Sequence, residues 1–272
     1  MTPSPHCAKR ITFSLIFSHP HIFSSLLMIH PLSEGSFTID KSKVFVPFDD
    51  RKDDLQNRAA GSLLVEVQPF VVVTSEDVLL IDTGLGFETN GTLQLHQNLM
   101  DAGINPSEVT KVLLSHLHKD HAGGISKKDP INGRSEIAFP NAKYYVQKKE
   151  LEFAFSKDSP SYIKEELEPL KDAPNLVLLD GDGVIDGYIK YEVTAAHSPF
   201  HQVFWIVDGG RTIFFGADDA PQLQQMKSRF VAKYDYDGKK CMELRQKWWA
   251  EGNAAKWTFL FYHDIKTGVY EP

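Results

Sequence analysis

Residues 115–124 read S-H-L-H-K-D-H-A-G-G, which sets His116, His118, Asp120 and His121 within six positions. Each of the four offers an imidazole nitrogen or a carboxylate oxygen, donors that suit a borderline divalent metal. The chain has only 11 histidines in 272 residues, so a solvated face with chance histidines explains this crowding poorly. Residues 111–114 just before it form a short apolar run of strand type. The cluster therefore opens the loop leaving a buried strand, where α/β sheets hold their sites. In extended backbone His116 and His118 point the same way and clasp one ion. Asp120 and His121 are left to address a second. Two cations about 3.5–4 Å apart lower the pKa of a water between them enough to give hydroxide at neutral pH. The chemistry this suits is hydrolysis without a covalent intermediate.

The stretch resembles the H-x-H-x-D-H signature of the metallo-β-lactamase fold superfamily, a set of mostly zinc-dependent hydrolases. The resemblance runs over roughly residues 29–270 and places the rest of that family's set by order and type. Asp82, in L-L-I-D-T-G, resembles the aspartate that shapes the site from behind the ligands. His197, in A-A-H-S-P-F-H, resembles the third ligand of the first metal. Asp218, in F-F-G-A-D-D, resembles the bridging carboxylate, with Asp219 the alternative one position on. His263, in F-L-F-Y-H-D, resembles the last ligand of the second metal. The resemblance thus implies His116, His118 and His197 on one ion, Asp120, His121 and His263 on the other, and Asp218 shared. Asp120 is the expected catalytic residue, orienting the nucleophile. A donor set of nitrogen and oxygen without cysteine favours two Zn2+ ions, with manganese, iron and cobalt open. Alone, His197 reads as a loop histidine beside Pro199 and His263 as the polar end of a buried strand. The dense first cluster is what requires them, because it needs further ligands to complete two coordination shells.

The implied activity is that of a dinuclear metal-dependent hydrolase acting on an ester, lactone or phosphotriester small molecule. The D-T-G strand, the helix-forming insertion after Asp218 and the closing Y-H-D look most like the lactonase and organophosphate-hydrolase branch. A thioesterase of the glyoxalase-II type is the alternative; it needs basic residues at the mouth, for which Lys143, Lys148 and Lys149 are candidates. A non-catalytic metal-binding protein on the same fold would have lost ligands, and none is lost. Two departures bear on substrate. Phe200 stands where the family often has glycine, and either lines the pocket or fills the core. Pro221 stands three residues after Asp218, where the similar lactonases carry a tyrosine, so the donor that polarises the carbonyl is missing or comes from elsewhere. Phe48, Phe87, Trp248 and Trp249 are candidate pocket walls. His201 is expected to orient a ligand, and Lys119 to face solvent.

The elements that must position these residues follow from periodicity. Residues 37–46 read as a hairpin, and 63–67, 70–74 and 78–81 as strands, the last ending at Asp82. Residues 92–102 read as a helix with Leu95, Leu99 and Ala102 on one face and Gly103 as its stop. Ser107 is expected to cap a short turn. Further on, 142–146, 176–179, 188–193, 203–207, 212–215 and 257–262 are strand-like, and 148–155 and 162–170 helical. Leu223, Met226 and Phe230, then Cys241, Leu244 and Trp248, recur at helical spacing. The expected fold is an α/β αββα four-layer sandwich of metallo-β-lactamase type.

Composition bounds the partners. A chain that is 42% hydrophobic can bury one large core. A net charge of −7 without a basic stripe argues against nucleic acid, leaving a small-molecule substrate. Cys7 and Cys241 alone make no disulfide framework. Residues 1–28 place a basic pair before a broken apolar stretch, interrupted by His19-Pro20-His21 and too short to span a bilayer. They read as a misassigned start, with Met28 the true one, or as a targeting extension; residues 29–272 form the hydrolase domain. The expected location is cytoplasmic, or secreted if residues 1–28 are a signal, with no membrane partner.

Overall fold

The computed structural model describes residues 27–129 and 131–272. The reading of residues 1–28 as a misassigned start or targeting extension, and Cys7 with it, lies outside the described residues up to residue 26. Two six-stranded sheets face one another. The first runs, in spatial order, Met28–Pro31, Phe70–Val73, Val78–Ile81, Lys111–Leu113, Lys143–Gln147 and Leu176–Leu179. The second runs Gly183–Ile185, Ile189–Val193, Gln202–Asp208, Arg211–Phe215, Thr258–Leu260 and Val269–Tyr270.

Alternation along each strand sends its side chains to two different cores. Val72, Leu79, Ile81 and Leu113 from the first sheet meet Phe204, Ile206, Ile213 and Phe215 from the second in the central layer. The outward residues of the first sheet, Val71, Leu80 and Val112, pack on Leu95, Leu99, Leu151 and Leu167 from helices Gln94–Asp101, Lys148–Ser156 and Lys164–Lys171. Those of the second, Val203, Trp205 and Phe214, pack on Met226 and on Trp248 of helix Gly238–Ala255. The result is the expected αββα sandwich. Among the described residues no helix is long and apolar enough to cross a membrane.

Strand direction brings the site together. Val78–Ile81, Lys111–Leu113 and Lys143–Gln147 are mutually parallel, and Arg211–Phe215 is parallel to Thr258–Leu260. Asp82, the 115–121 loop, Asp218 and His263 all follow the carboxyl ends of these strands, at one rim of the sandwich. Above that rim a three-stranded sheet of Phe45–Pro47, Gly35–Ile39 and Leu63–Val67 forms an outlying wall.

Some local expectations are corrected. The helix begins at Gln94 rather than at residue 92, because Thr92–Leu93 pairs with Glu88–Thr89. The turn at 106–108 is capped by Asn105, whose side chain accepts from the Ser107 N–H while Glu108 reaches back to the Asn105 N–H. Helix Leu223–Met226 stops short of Phe230, so the helical spacing there does not extend through the 227–237 segment. The strands Ser126–Lys128, Ser135–Ile137, Gly183–Ile185 and Val269–Tyr270 have no apolar run to announce them.

Candidate metal centre

Two groups of ligand atoms face each other at the rim. His116, His118, His197 and Asp218 place one donor atom each within 4.8 Å of one another, and Asp120, His121 and His263 do the same. These are the two sets expected from the sequence. Asp218 lies between them: its Oδ2 is 3.2 Å from His197 Nε2, and its Oδ1 is 3.0 Å from both His121 Nε2 and His263 Nε2. Asp219, the alternative one position on, instead accepts the His197 N–H and faces His201 Nδ1, and it is Asp218 that lies among the ligand nitrogens.

Four of the five histidines, all but His118, are held from behind by their other ring nitrogen. His121 Nδ1 donates to Asp82 Oδ2 at 2.7 Å. His116 Nδ1 lies 3.0 Å from the Ser115 hydroxyl, which itself donates to Asp82 at 2.7 Å. His197 Nδ1 donates to Asp235 at 2.9 Å, and His263 Nδ1 to the Glu66 carbonyl at 2.7 Å. This network assigns the tautomer: the outer nitrogen carries the proton and the inner one keeps its lone pair. The lone pairs so assigned to His116 Nε2 and His197 Nε2 both face His118 Nδ1, at 2.9 and 3.2 Å. A single N–H on His118 could satisfy only one of them, whereas a cation satisfies all three nitrogens. His121 Nε2 and Asp218 Oδ1 are likewise buried without an aligned hydrogen-bond partner. The donor set therefore fits two divalent metal ions.

Charge divides the rings into two groups, and a cation bound at the second would take the place of the proton that Asp218 draws to them. Burial holds the His116 and His118 imidazoles well below their usual pKa, so both are neutral and available as ligands. At His121, His197 and His263 burial acts the same way but is outweighed, chiefly by the Asp218 carboxylate, and these rings rise. Asp218, for which burial alone would raise the pKa, is held well below its usual value by His263, His121 and His197 around it.

The backbone around the site is tightly specified. Asp82 takes φ +54° and Ala217, next to Asp218, φ +42°, both in the left-handed region. In the D-H-A-G-G stretch, a Cβ on Gly123 would lie 2.4 Å from the Leu85 carbonyl oxygen, and one on Gly124 2.2 Å from that of Thr83. Only glycine lets the metal loop lie against the D-T-G loop. Glu150 accepts the Leu117 N–H at 2.9 Å, and the Tyr262 hydroxyl donates to the Asp120 carbonyl at 2.6 Å. His201 sits where expected, buried against His116 with Nδ1 3.1 Å from Asp219 Oδ2. Asp219 in turn accepts the His197 N–H at 2.8 Å.

A cavity of about 490 Å³ opens over the cluster. Its wall is Ile39, Phe45, Leu63 and Val65 of the outlying sheet, with Pro221 and Tyr234 opposite. The aromatic candidates are corrected: Trp248 and Trp249 pack in and against the outer core of the second sheet, and Phe87 tilts against Phe37. Phe48 and Phe87 are not among the lining residues. Neither is Phe200, whose ring packs edge-on against Phe153 at 5.7 Å. Lys143, Lys148 and Lys149 also lie off the cavity; Lys119, expected in solvent, is half-buried and lines it.

Spacing gave no sign of Ser115, Glu150, Tyr234 or Asp235. The signal available was chemical: a ligating histidine needs an acceptor for its second nitrogen, and Asp235 stands in the Y-D-Y-D-G break.

The family profile described as the metallo-beta-lactamase superfamily matches residues 65–230. The N-acyl homoserine lactonase AttM of Agrobacterium fabrum is 34% identical over 115 residues, 38% of this chain and 38% of that protein. An N-acyl homoserine lactonase of Bacillus thuringiensis is 29% identical over 167 residues, 54% of this chain and 60% of that one. The matched stretches thus span less than two thirds of either lactonase. The crystal structure of a probable metal-dependent hydrolase from Staphylococcus aureus superposes with a TM-score of 0.72 at 20% identity, covering 90% of this chain and 92% of that one. That likeness is one of fold.

Proposed function

From the premise that this chain belongs to the metallo-β-lactamase superfamily, we propose that it is a dinuclear metal-dependent hydrolase of a small carboxylic ester or lactone. The observation that carries the reading is the convergence of seven ligand atoms in two facing groups beneath one cavity. His116, His118 and His197 would hold one ion, Asp120, His121 and His263 the other, with Asp218 between. Bound there, two divalent ions, zinc by the chemistry of the donor set, would supply Lewis acidity and a water acidified enough to attack at neutral pH.

The chain's own residues do the rest. The Asp120 carboxylate, 14% exposed and 3.5 Å from His263 Nε2, faces the cavity and orients the attacking water by accepting its hydrogen bond. Tyr234 lines the same cavity, its ring 6.4 Å from that of His197. Burial keeps its phenol protonated at neutral pH, so it can donate to a carbonyl oxygen that gathers charge. It fills the role left open by Pro221. The apolar wall of Ile39, Phe45, Leu63 and Val65 holds the uncharged part of the substrate and keeps bulk water from it.

The similarity to two N-acyl homoserine lactonases favours an ester or lactone over a phosphotriester. Metal analysis of loaded protein, with a panel of lactone, ester, thioester and phosphotriester substrates, tests the reading. We expect about two metals per chain and chelator-sensitive turnover of a lactone or ester. Loaded protein without metal, or turnover unaffected by complete metal removal, would overturn it.

A further inference from the structure

Four lysines line the cavity: Lys41, Lys43, Lys119 and Lys233. Among the described residues, none of them has a carboxylate within ion-pair distance; the lysine pairs present are made by others. Asp40, the acid outside the ligand set among the cavity-lining residues, is engaged on its own loop, where Oδ1 accepts from the Ser42 N–H at 2.8 Å and the Ser42 hydroxyl at 2.6 Å, while Glu166 lies near Lys119 without pairing with it. Lys43 takes φ +59°, a backbone conformation that favours glycine, and lies half-buried over the site. Lys119 lies 5.8 Å over the Phe45 ring, so its charge stays at the apolar wall and away from bulk solvent. In a chain of net charge −7, cations collected around one cavity need an anion to meet them.

We propose that the substrate of this site carries a permanent anionic group, carboxylate or phosphate, bound at the cavity mouth by Lys43 and Lys233 with Lys41 and Lys119 beside them. The proposal rests on the hydrolase reading for its reaction, but not for its binding. The scissile bond sits over the ligand cluster, the apolar segment against Ile39, Phe45 and Leu63, and the anionic end among the lysines. A lysine ammonium is a compact point charge that does not discriminate planar from tetrahedral anions, so both remain within the class.

Three product-like acids test it by calorimetry on the metal-loaded full chain: butyrate, glutarate and 4-phosphonobutyrate. They share one carboxylate for the ligand cluster and differ only in the far end. Glutarate or 4-phosphonobutyrate should bind about 10-fold tighter than butyrate, and whichever gains more names the anion. The gain should shrink with added salt and vanish in Lys43→Met/Lys233→Met, with butyrate affinity unchanged. Equal affinities for all three acids, or a gain that survives the double substitution, would overturn the subsite. In parallel, KM for 4-nitrophenyl butyrate and for mono-4-nitrophenyl glutarate separates the two ideas. If neither these esters nor any lactone, thioester or phosphotriester of the panel is hydrolysed but the binding difference stands, the hydrolase reading fails and the anion subsite does not.

Discussion

Asp235 holds His197 through a 2.9 Å hydrogen bond to Nδ1, although His197 lies on the loop between Ile189–Val193 and Gln202–Asp208 and Asp235 within the crossover from Arg211–Phe215 to Thr258–Leu260. The same segment is laced to the His197 loop by its backbone, Tyr236 N–H to His197 C=O at 3.0 Å and Asp237 N–H to Ala196 C=O at 2.7 Å. Arg245, buried in helix Gly238–Ala255, secures it from below through the carbonyls of Phe230 and Asp219. Segment 227–237 thus fixes a ligand's ring orientation while presenting Lys233 and Tyr234 to the cavity. Asp235→Asn keeps the shape but weakens the acceptor, and should lower metal affinity about 10–100-fold. Competition with a chromophoric chelator measures it; affinity equal to wild type would mean that His197 is oriented by its backbone alone.

This contact also marks how far the sequence could be read. Residues 116–121 are local, so one short stretch displays most of a ligand set and its chemistry. The strands 63–67, 78–81 and 176–179 are continuous apolar or alternating runs, and they form with the bounds their pattern predicts. His197, Asp218 and His263 become legible only through the family resemblance, because a lone histidine after a strand carries no message by itself. Asp235, Lys43 and Lys233 are set by how the 40–44 turn and the 227–237 segment meet in space. No spacing encodes that. Phe230 fails for a related reason: Arg245 and the His197 loop draw its segment out of the helix that its apolar spacing suggests.

Asp120→Asn tests the proposed nucleophile-orienting group. The amide is nearly isosteric but loses a negative charge beside His121 and His263, at 3.8 and 3.5 Å. Hydrolysis should fall by about 100-fold or more, as positioning and electrostatic contributions are lost together. The comparison is made at matched metal content, with kcat and KM resolved separately. Activity within a few-fold of wild type would remove Asp120 from the mechanism.

Glu34 predicts a pH dependence of stability. Its carboxylate accepts the Leu85 N–H at 2.5 Å and braces the D-T-G loop that lies against Gly123. Burial pushes its pKa up to about 7 from 4.5, against the hydrogen bonds from the 85–87 backbone. The folded state therefore binds the proton more tightly than the unfolded one. Stability from this group is fully present below pH 4.5 and is lost as pH rises to about 7. The loss is about 3 kcal/mol. Denaturant unfolding at pH 5 and pH 8, at equal metal content, should show a steeper decline for wild type than for Glu34→Gln. Parallel declines would mean that Glu34 titrates like a solvent carboxylate.

Phe200 offers the sharpest separation between packing and specificity. Three residues beyond His197, it is close enough to the ligands to have been a pocket wall, yet its ring turns to Phe153 on helix Lys148–Ser156. Phe153 in turn packs on Tyr162, which donates to Glu150, the acceptor for the Leu117 N–H inside the metal loop. Phe200 is thus the outer end of a stack that supports the loop from the helix side. Because the ring is half-buried, Phe200→Gly should cost about 2 kcal/mol, below the 3–5 kcal/mol of a fully buried phenylalanine. Relative rates across a series of esters of increasing acyl length should stay as in wild type, since the cavity wall is made by Ile39, Phe45 and Leu63. Thermal unfolding and the ester series on one preparation decide the matter. A shift of preference toward bulkier esters with unchanged stability would return Phe200 to the pocket.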